Sequence, residues 1–356
     1  MTPTPRPELA RVSRPDWTKG APRDPALLWL DKNENTDPEL SGVVAGVVAS
    51  LPPETFFTYP ESAALYAKLA AWVGCAPGNL MLAAGSDGVI RSVFEAYVSP
   101  GDTVIHTVPT FAMYSVYSAM YGARVVGLEY RPSDRGPELH AEEVIAAIRT
   151  QAPKVVCLPN PDSPTGTVFA PAELDAIIAA AGQAGALMLV DEAYHPFHRD
   201  TVVPWIARYP HLVVARSTGK AWGMAGLRIG YAVASPEVAQ VLHKVRPMYE
   251  TGTVGMAALE RMLDHVPAME ASVARLEAGK KAFLDAMDGF GFRTLKGAGN
   301  FLHVAFGTRA DKVHAALADL VYYRRDFAEP CLKGFSRFSA TTPGLFAPVI
   351  ERIGKV

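Results

Sequence analysis

Lys220 lies in Ala-Arg-Ser-Thr-Gly-Lys-Ala-Trp-Gly-Met-Ala-Gly-Leu-Arg-Ile-Gly-Tyr (215–231), the stretch with the most potential chemistry in the fewest residues. A lysine just after an apolar run, among small residues and glycines, can approach a carbonyl closely. Where burial or a neighbouring cation lowers its pKa, the neutral amine can form a Schiff base. Arg228, the eighth residue after it, offers a planar fork suited to a phosphate. A lysine for an aldehyde with an arginine for a phosphate is what pyridoxal phosphate needs. Taken alone, Lys220 reads as an ordinary loop lysine. The assignment therefore depends on its companions.

Ala-Leu-Met-Leu-Val-Asp191-Glu192-Ala-Tyr194 ends an apolar run in an acid. Burying a carboxylate there is costly unless a cation meets it, and a protonated pyridine nitrogen is such a cation. Tyr194 could donate to the phenolic oxygen of the same ring, although an acid capping the next segment is an equally plain reading. Ala-Ala-Gly85-Ser86-Asp87-Gly88 opens a helical pattern with Val89, Ile90, Val93 and Phe94 on its apolar stripe. The unpaired N–H groups of that first turn would suit an anion. Ser217, three residues before Lys220, adds a hydroxyl for the same group. Pro109-Thr-Phe-Ala-Met-Tyr114 places an aromatic where a flat ring could stack, or simply in the core. Asn160-Pro-Asp-Ser163-Pro-Thr-Gly166 supplies tight-turn residues after a strand. Arg325 and Arg337, late in the chain, could each clamp a carboxylate or phosphate, or sit solvated.

These residues need a scaffold that brings them together. Short β-branched runs over 103–108, 124–128, 154–158, 186–190, 212–215 and 229–233 alternate with amphipathic stretches such as 137–150 and 171–184. Apolar runs without strict alternation, separated by helices, predict an α/β fold with a mostly parallel sheet covered on both faces. Ligands in such sheets gather at the carboxyl ends of the strands, where every candidate above falls. Residues 1–25 read as an extended, proline-rich arm. The pattern turns helix-rich over 236–290, then α+β. We expect residues 1–45 to form an arm and part of a small domain, 46–250 a large cofactor-binding domain, and 251–356 the small domain.

With 49% hydrophobic residues, the 356-residue chain can bury a substantial core. Its 34 basic and 36 acidic residues leave a net charge of -2, so nothing electrostatic argues for nucleic acid or an anionic membrane. Cys75, Cys157 and Cys331 are too scattered for a metal site or a disulfide framework. The start of the chain lacks an apolar leader pattern, and no stretch reads as membrane-spanning. A cytoplasmic enzyme or binding protein is expected.

Taken in order, the segments from about Leu30 to Thr341 closely resemble the histidinol-phosphate aminotransferases, within the class I/II aminotransferases of pyridoxal phosphate fold type I. Leu-Asp-Lys-Asn33-Glu34-Asn and Tyr59-Pro60 match further motifs of that family. The resemblance implies that Lys220 forms the Schiff base with the cofactor and then carries the α-proton. By the same likeness Asp191 pairs with the pyridine nitrogen, Tyr194 with the phenolic oxygen, and Tyr114 stacks on the ring. Ser86, Asp87 (largely through backbone), Ser217 and Arg228 hold the phosphate, with Tyr59 reaching it from a neighbouring subunit, which implies a homodimer. Arg337 takes the acidic group of an amino donor or 2-oxo acid, Arg325 a second anion, and Asn33 also lies at the substrate.

Several positions depart from the family pattern. Ser163 stands where an asparagine normally donates to the phenolic oxygen, which implies an altered pKa at the lysine–cofactor linkage. Gly219 replaces a serine and Gly88 a glutamate. Met248-Tyr249-Glu250 replaces Pro-Tyr-Asn, so that Tyr249 and Glu250 are expected near the substrate, with Glu250 suited to a cationic one. These changes keep open a second reaction on the same scaffold, namely decarboxylation, elimination or cyclisation. A cofactor-sensing regulatory module is remote, because residues 1–30 are too short and proline-rich for a DNA-binding domain.

Overall fold

A computed structural model describes residues 3–12 and 22–356. Its centre is a seven-stranded sheet of β1 (Leu80–Ala83), β2 (Thr103–Val108), β3 (Arg124–Glu129), β4 (Val155–Pro159), β5 (Leu187–Asp191), β6 (Leu212–Ser217) and β7 (Gly230–Ala234). The spatial order is β1-β7-β6-β5-β4-β2-β3. Only β7 runs antiparallel, pairing with both β1 and β6. The expected mostly parallel α/β sheet is what the chain forms. Strands β4, β5 and β7 are buried along their whole length and β6 up to Arg216, because helices cover both faces. Val156, Leu158, Met188, Val190 and Val214 point into the core on one face, and Cys157, Leu189, Val213 and Ala215 into that on the other.

The antiparallel β7 matters for function. Since the chain enters β7 at the edge where β5 and β6 end, the loop between Ser217 and Gly230 stays at the carboxyl ends instead of crossing over. That loop carries both Lys220 and Arg228. The register Asp191↔Ala215 sets the end of β5 beside it. A Cβ on Gly230 would come 2.5 Å from the Gly85 carbonyl carbon and 2.6 Å from Ser86 N, so only glycine lets β7 lie this close to the Gly85 turn.

A second sheet, β8 (Arg293–Leu295), β9 (Phe301–Ala305) and β10 (Ser336–Ser339), is antiparallel in the order β8-β9-β10. It packs under the Val266–Gly289 and Pro343–Gly354 helices through Phe283, Phe338 and Phe346. Leu28–Trp29 pairs with Val321–Tyr322, so the N-terminal segment belongs to this layer. The Thr253–Met262 helix buries Met256, Leu259 and Met262 in the large-sheet core. The proline-rich arm is not extended throughout: Pro7–Arg11 forms a short 3-10 turn. Its 13–21 stretch lies outside the described residues. No described helix is long and apolar enough to cross a membrane.

Candidate active site

A cavity of about 250 Å³ opens at the carboxyl edge of the large sheet, lined among others by Ser86, Phe111, Ser163, Asp191, Lys220 and Arg228. Asp87, Tyr194 and Ser217 also face it. Residues scattered over the middle of the chain thus converge because β1, β4, β5 and β6 all end on this side.

Asp191 is the last residue of β5. Strand alternation sends it into the site and Glu192 to the opposite face, where Glu192 pairs with buried Arg216 at 2.7 Å. Asp191 Oδ1 accepts from the Ala193 N–H at 3.0 Å and Oδ2 from the Tyr114 hydroxyl at 3.1 Å. Burial pushes its carboxyl up to about 6, against the pull of these hydrogen bonds. No cation lies among the described hydrogen-bond partners of this buried acid, an arrangement that fits a protonated ring nitrogen.

Lys220 Nζ donates to the Lys32 carbonyl at 3.0 Å and lies 5.9 Å from the Tyr194 ring centroid. Burial first, then the positive field of Arg337, lowers it to about 8, so an appreciable fraction is neutral amine at physiological pH. Arg228 has a left-handed backbone (φ 51°), which turns its guanidinium back over Gly85, where Nη2 donates to the Ala84 carbonyl at 3.2 Å. With the start of the Gly85–Tyr97 helix, the Ser86 side and the Ser217 hydroxyl, this forms one cationic, N–H-rich corner. A phosphate fits that corner, an aldehyde fits Lys220, and a pyridinium fits Asp191. The donor set matches pyridoxal phosphate.

The second layer holds these groups in place. Tyr194 accepts from Asn33 Nδ2 at 2.9 Å, and the Ser163 hydroxyl lies beside the same oxygen. Asn33 is buried in a left-handed conformation (φ 56°), its N–H on Ser339 Oγ at 2.8 Å and its carbonyl on Asn300 Nδ2 at 3.0 Å. Arg337, on β10, donates to the Asp31 carbonyl at 2.9 Å, while its buried Nε has no hydrogen-bond partner among the described residues. Asp162, which sequence reasoning passed over, accepts from Thr107, Thr110 and Tyr130 at 2.5, 2.8 and 3.0 Å. Those bonds tie the Ser163 turn to the loop that carries Phe111.

Four expected site residues lie outside the cavity wall. Tyr114 is wholly buried behind Phe111, with its hydroxyl on Asp191; Phe111, three residues earlier, is the ring in the cavity wall. Arg325 is exposed, and its charge acts on Tyr323 and His314. Its neighbour Arg324 bridges to Arg337 across the strands and projects its field on it. Tyr249 stacks at 4.2 Å on Tyr59, whose expected role on a neighbouring subunit needs no place in this cavity. Glu250 lies against Gly88 of the Gly85–Tyr97 helix, outside the cavity wall.

Sheet order and cavity together define a pyridoxal-phosphate enzyme of fold type I. The family model of the class I and II aminotransferases matches residues 25–353, and the chain belongs to that family. Histidinol-phosphate aminotransferase 2 of Bordetella parapertussis is 35% identical over 78% of this chain and 76% of its own. A histidinol-phosphate aminotransferase of Roseiflexus castenholzii is 30% identical over 89% and 86%. Among solved structures, the histidinol-phosphate aminotransferase of Sinorhizobium meliloti in complex with pyridoxal 5'-phosphate superposes with a TM-score of 0.77, at 24% identity over 92% of this chain and 91% of that one. A Thermus thermophilus aspartate aminotransferase tetra mutant gives 0.78, at 18% identity over 99% of both chains. The activity is pyridoxal-phosphate-dependent amino-group transfer, rather than the decarboxylase, lyase or cyclase chemistry the scaffold also permits.

Proposed function

We propose that the enzyme moves an amino group between an amino acid or amino phosphate of the histidinol-phosphate kind and a 2-oxo acid, in amino-acid biosynthesis in the cytoplasm. The observation that carries this reading is the meeting of Lys220, the buried Asp191 carboxyl and Arg228 in one cavity. When bound, the cofactor supplies an electron sink conjugated to the carbon that bears the amino group. Lys220 would hold the cofactor's aldehyde carbon through Nζ, and the same amine would carry the proton taken from the substrate α-carbon to that former aldehyde carbon. Asp191 keeps the ring nitrogen protonated. Tyr194, with its oxygen held by Asn33 and Ser163, gives its proton to the phenolic oxygen. Phe111 covers the ring face, a role we reassign to it from Tyr114. Ser86, Asp87, Ser217 and Arg228 hold the phosphate.

Arg337 orients the anionic end of the substrate, and Arg324, not Arg325, is the second arginine on its side. The partnerless Nε of Arg337 supports this: a buried guanidinium edge lacks an acceptor until an anion arrives. Arg337→Ala is expected to lower kcat/KM for anionic donors by about 30- to 1000-fold. Most of that loss should fall in KM, and steady-state kinetics over a panel of amino acids and amino phosphates checks it. An unchanged KM would remove Arg337 from substrate recognition, and the best donor would name the substrate class.

Ser163→Asn is expected to shift the spectral pH midpoint of the lysine–cofactor linkage, because a longer amide reaches where the hydroxyl does not. Superimposed titrations of the two proteins would remove Ser163 from the cofactor's surroundings.

We further propose a homodimer. Phe56, Phe57, Tyr59 and Met248 are 66–78% exposed and contiguous in chain and space with the Tyr59–Tyr249 stack, more apolar surface than a monomer comfortably shows. A Tyr59 that faces outward can reach the phosphate of a second copy.

A further inference from the structure

Gly88 and Glu250, far apart in the chain, meet in space. The Glu250 carboxylate enters the room a side chain at 88 would need. A Cβ on Gly88 would lie 3.1 Å from Glu250 Oε1 and 3.0 Å from the Ala83 Cβ. The same carboxylate takes the backbone N–H of Ala84, at the junction of β1 and the Gly85–Tyr97 helix. Its Oε2 is buried without a hydrogen-bond partner among the described residues. Arg246 and Arg91 are the cations whose fields reach it, and Glu95 the anion.

The loop that presents Glu250 is engaged on its other side too. Tyr249 stacks on Tyr59, and the Thr253 hydroxyl donates to the Thr58 carbonyl at 2.9 Å. One carboxylate therefore joins this loop to the turn that leads into Ser86 and Asp87. Convergent N–H groups bind an anion well only when the turn that carries them is fixed beforehand.

We propose that Glu250 is a positioning residue for the phosphate corner: its carboxylate fills the Gly88 slot, holds the Ala84–Gly85 turn and clamps the 246–252 loop against it. This rests on the reading that Ser86, Asp87 and Arg228 hold the cofactor phosphate. The glutamate touches neither cofactor nor substrate. Losing it should loosen the grip on the phosphate while leaving the ring site and the fold alone. It also makes Gly88 and Glu250 a coupled pair, because a carboxylate arriving from position 88 would need the space that Glu250 occupies.

The test is equilibrium titration of the apoprotein with pyridoxal phosphate and with pyridoxal, which lacks the phosphate, alongside the melting temperature of each apoprotein. Glu250→Ala is expected to lower the preference for pyridoxal phosphate over pyridoxal by about tenfold, the scale of one charged hydrogen bond, with pyridoxal affinity and melting temperature unchanged. Gly88→Glu should weaken pyridoxal phosphate strongly on its own and much less in the Glu250→Ala background, where the new carboxylate takes the vacated slot. Arg228→Gln reports on the underlying reading. If it lowers the phosphate preference while Glu250→Ala does not, Glu250 is no positioning residue and the proposal falls alone. If the costs of Gly88→Glu and Glu250→Ala simply add, the proposal falls as well. If Arg228→Gln leaves the preference intact, the phosphate corner is misassigned and the proposal falls with it.

Discussion

Lys220→Ala is expected to abolish amino-group transfer, with a loss in kcat of about 10⁴-fold or more, because one substitution removes both the covalent anchor and the proton carrier. Borohydride should fix cofactor to the wild type and none to the variant. The wild type should also show a characteristic pH dependence. Burial and Arg337 hold the free amine at about 8. Since only the neutral amine attacks the aldehyde, capture of cofactor by the apoprotein should rise about tenfold per pH unit below 8 and level off above it. Stopped-flow absorbance measures this. A capture rate already flat at pH 6 would mean that the amine is not the nucleophile, or that its environment differs from the one described.

Asp191→Asn is expected to cost about 10²–10³-fold in kcat, because a neutral amide no longer holds the ring nitrogen protonated and the electron sink weakens. The stability effect should run the other way. In the cofactor-free protein the Asp191 carboxyl is raised from 3.8 to about 6. A raised acid contributes stability that is fully present below the unfolded value and is lost as pH rises through the folded one. The apo wild type should therefore lose stability relative to the asparagine variant between about pH 4 and 6, and the deficit should persist at neutral pH. Thermal unfolding across that range checks it. A variant that is inactive and also less stable at pH 7 would point to a structural role for Asp191 in place of a cofactor-pairing one.

The sheet was largely legible because its inner strands are uninterrupted β-branched and leucine runs between helical patterns. Strand β1 escaped that reading because Leu-Met-Leu-Ala is poor in β-branched residues and is as good a helix sequence as a strand. Lys220, Asp191 and Arg228 stood out since each is a charged group at the end of an apolar or glycine-rich segment. The misplacements are of other kinds. Arg324 and Arg325 are adjacent on an extended segment, where one position decides which face a side chain takes. Phe111 and Tyr114 belong to one motif, and the angle at which the Met113–Met120 helix leaves β2 decides which ring faces the cavity. Glu250 fits the substrate side by sequence order, but the empty slot at Gly88 draws it to the back of the helix. The backbone acceptors for Lys220 and Arg337, the Lys32 and Asp31 carbonyls, leave no trace in side-chain identity. They exist only once the N-terminal segment has joined the small sheet.

The most direct measurement of the central claim is the absorbance spectrum of the cofactor-loaded enzyme before and after an amino donor, followed by a 2-oxo acid. The donor should convert the bound cofactor to its aminated form and the oxo acid should restore the original spectrum, with one equivalent of each consumed per site. Cofactor that binds and responds to amino compounds, yet never reaches the aminated form with any donor, would contradict it.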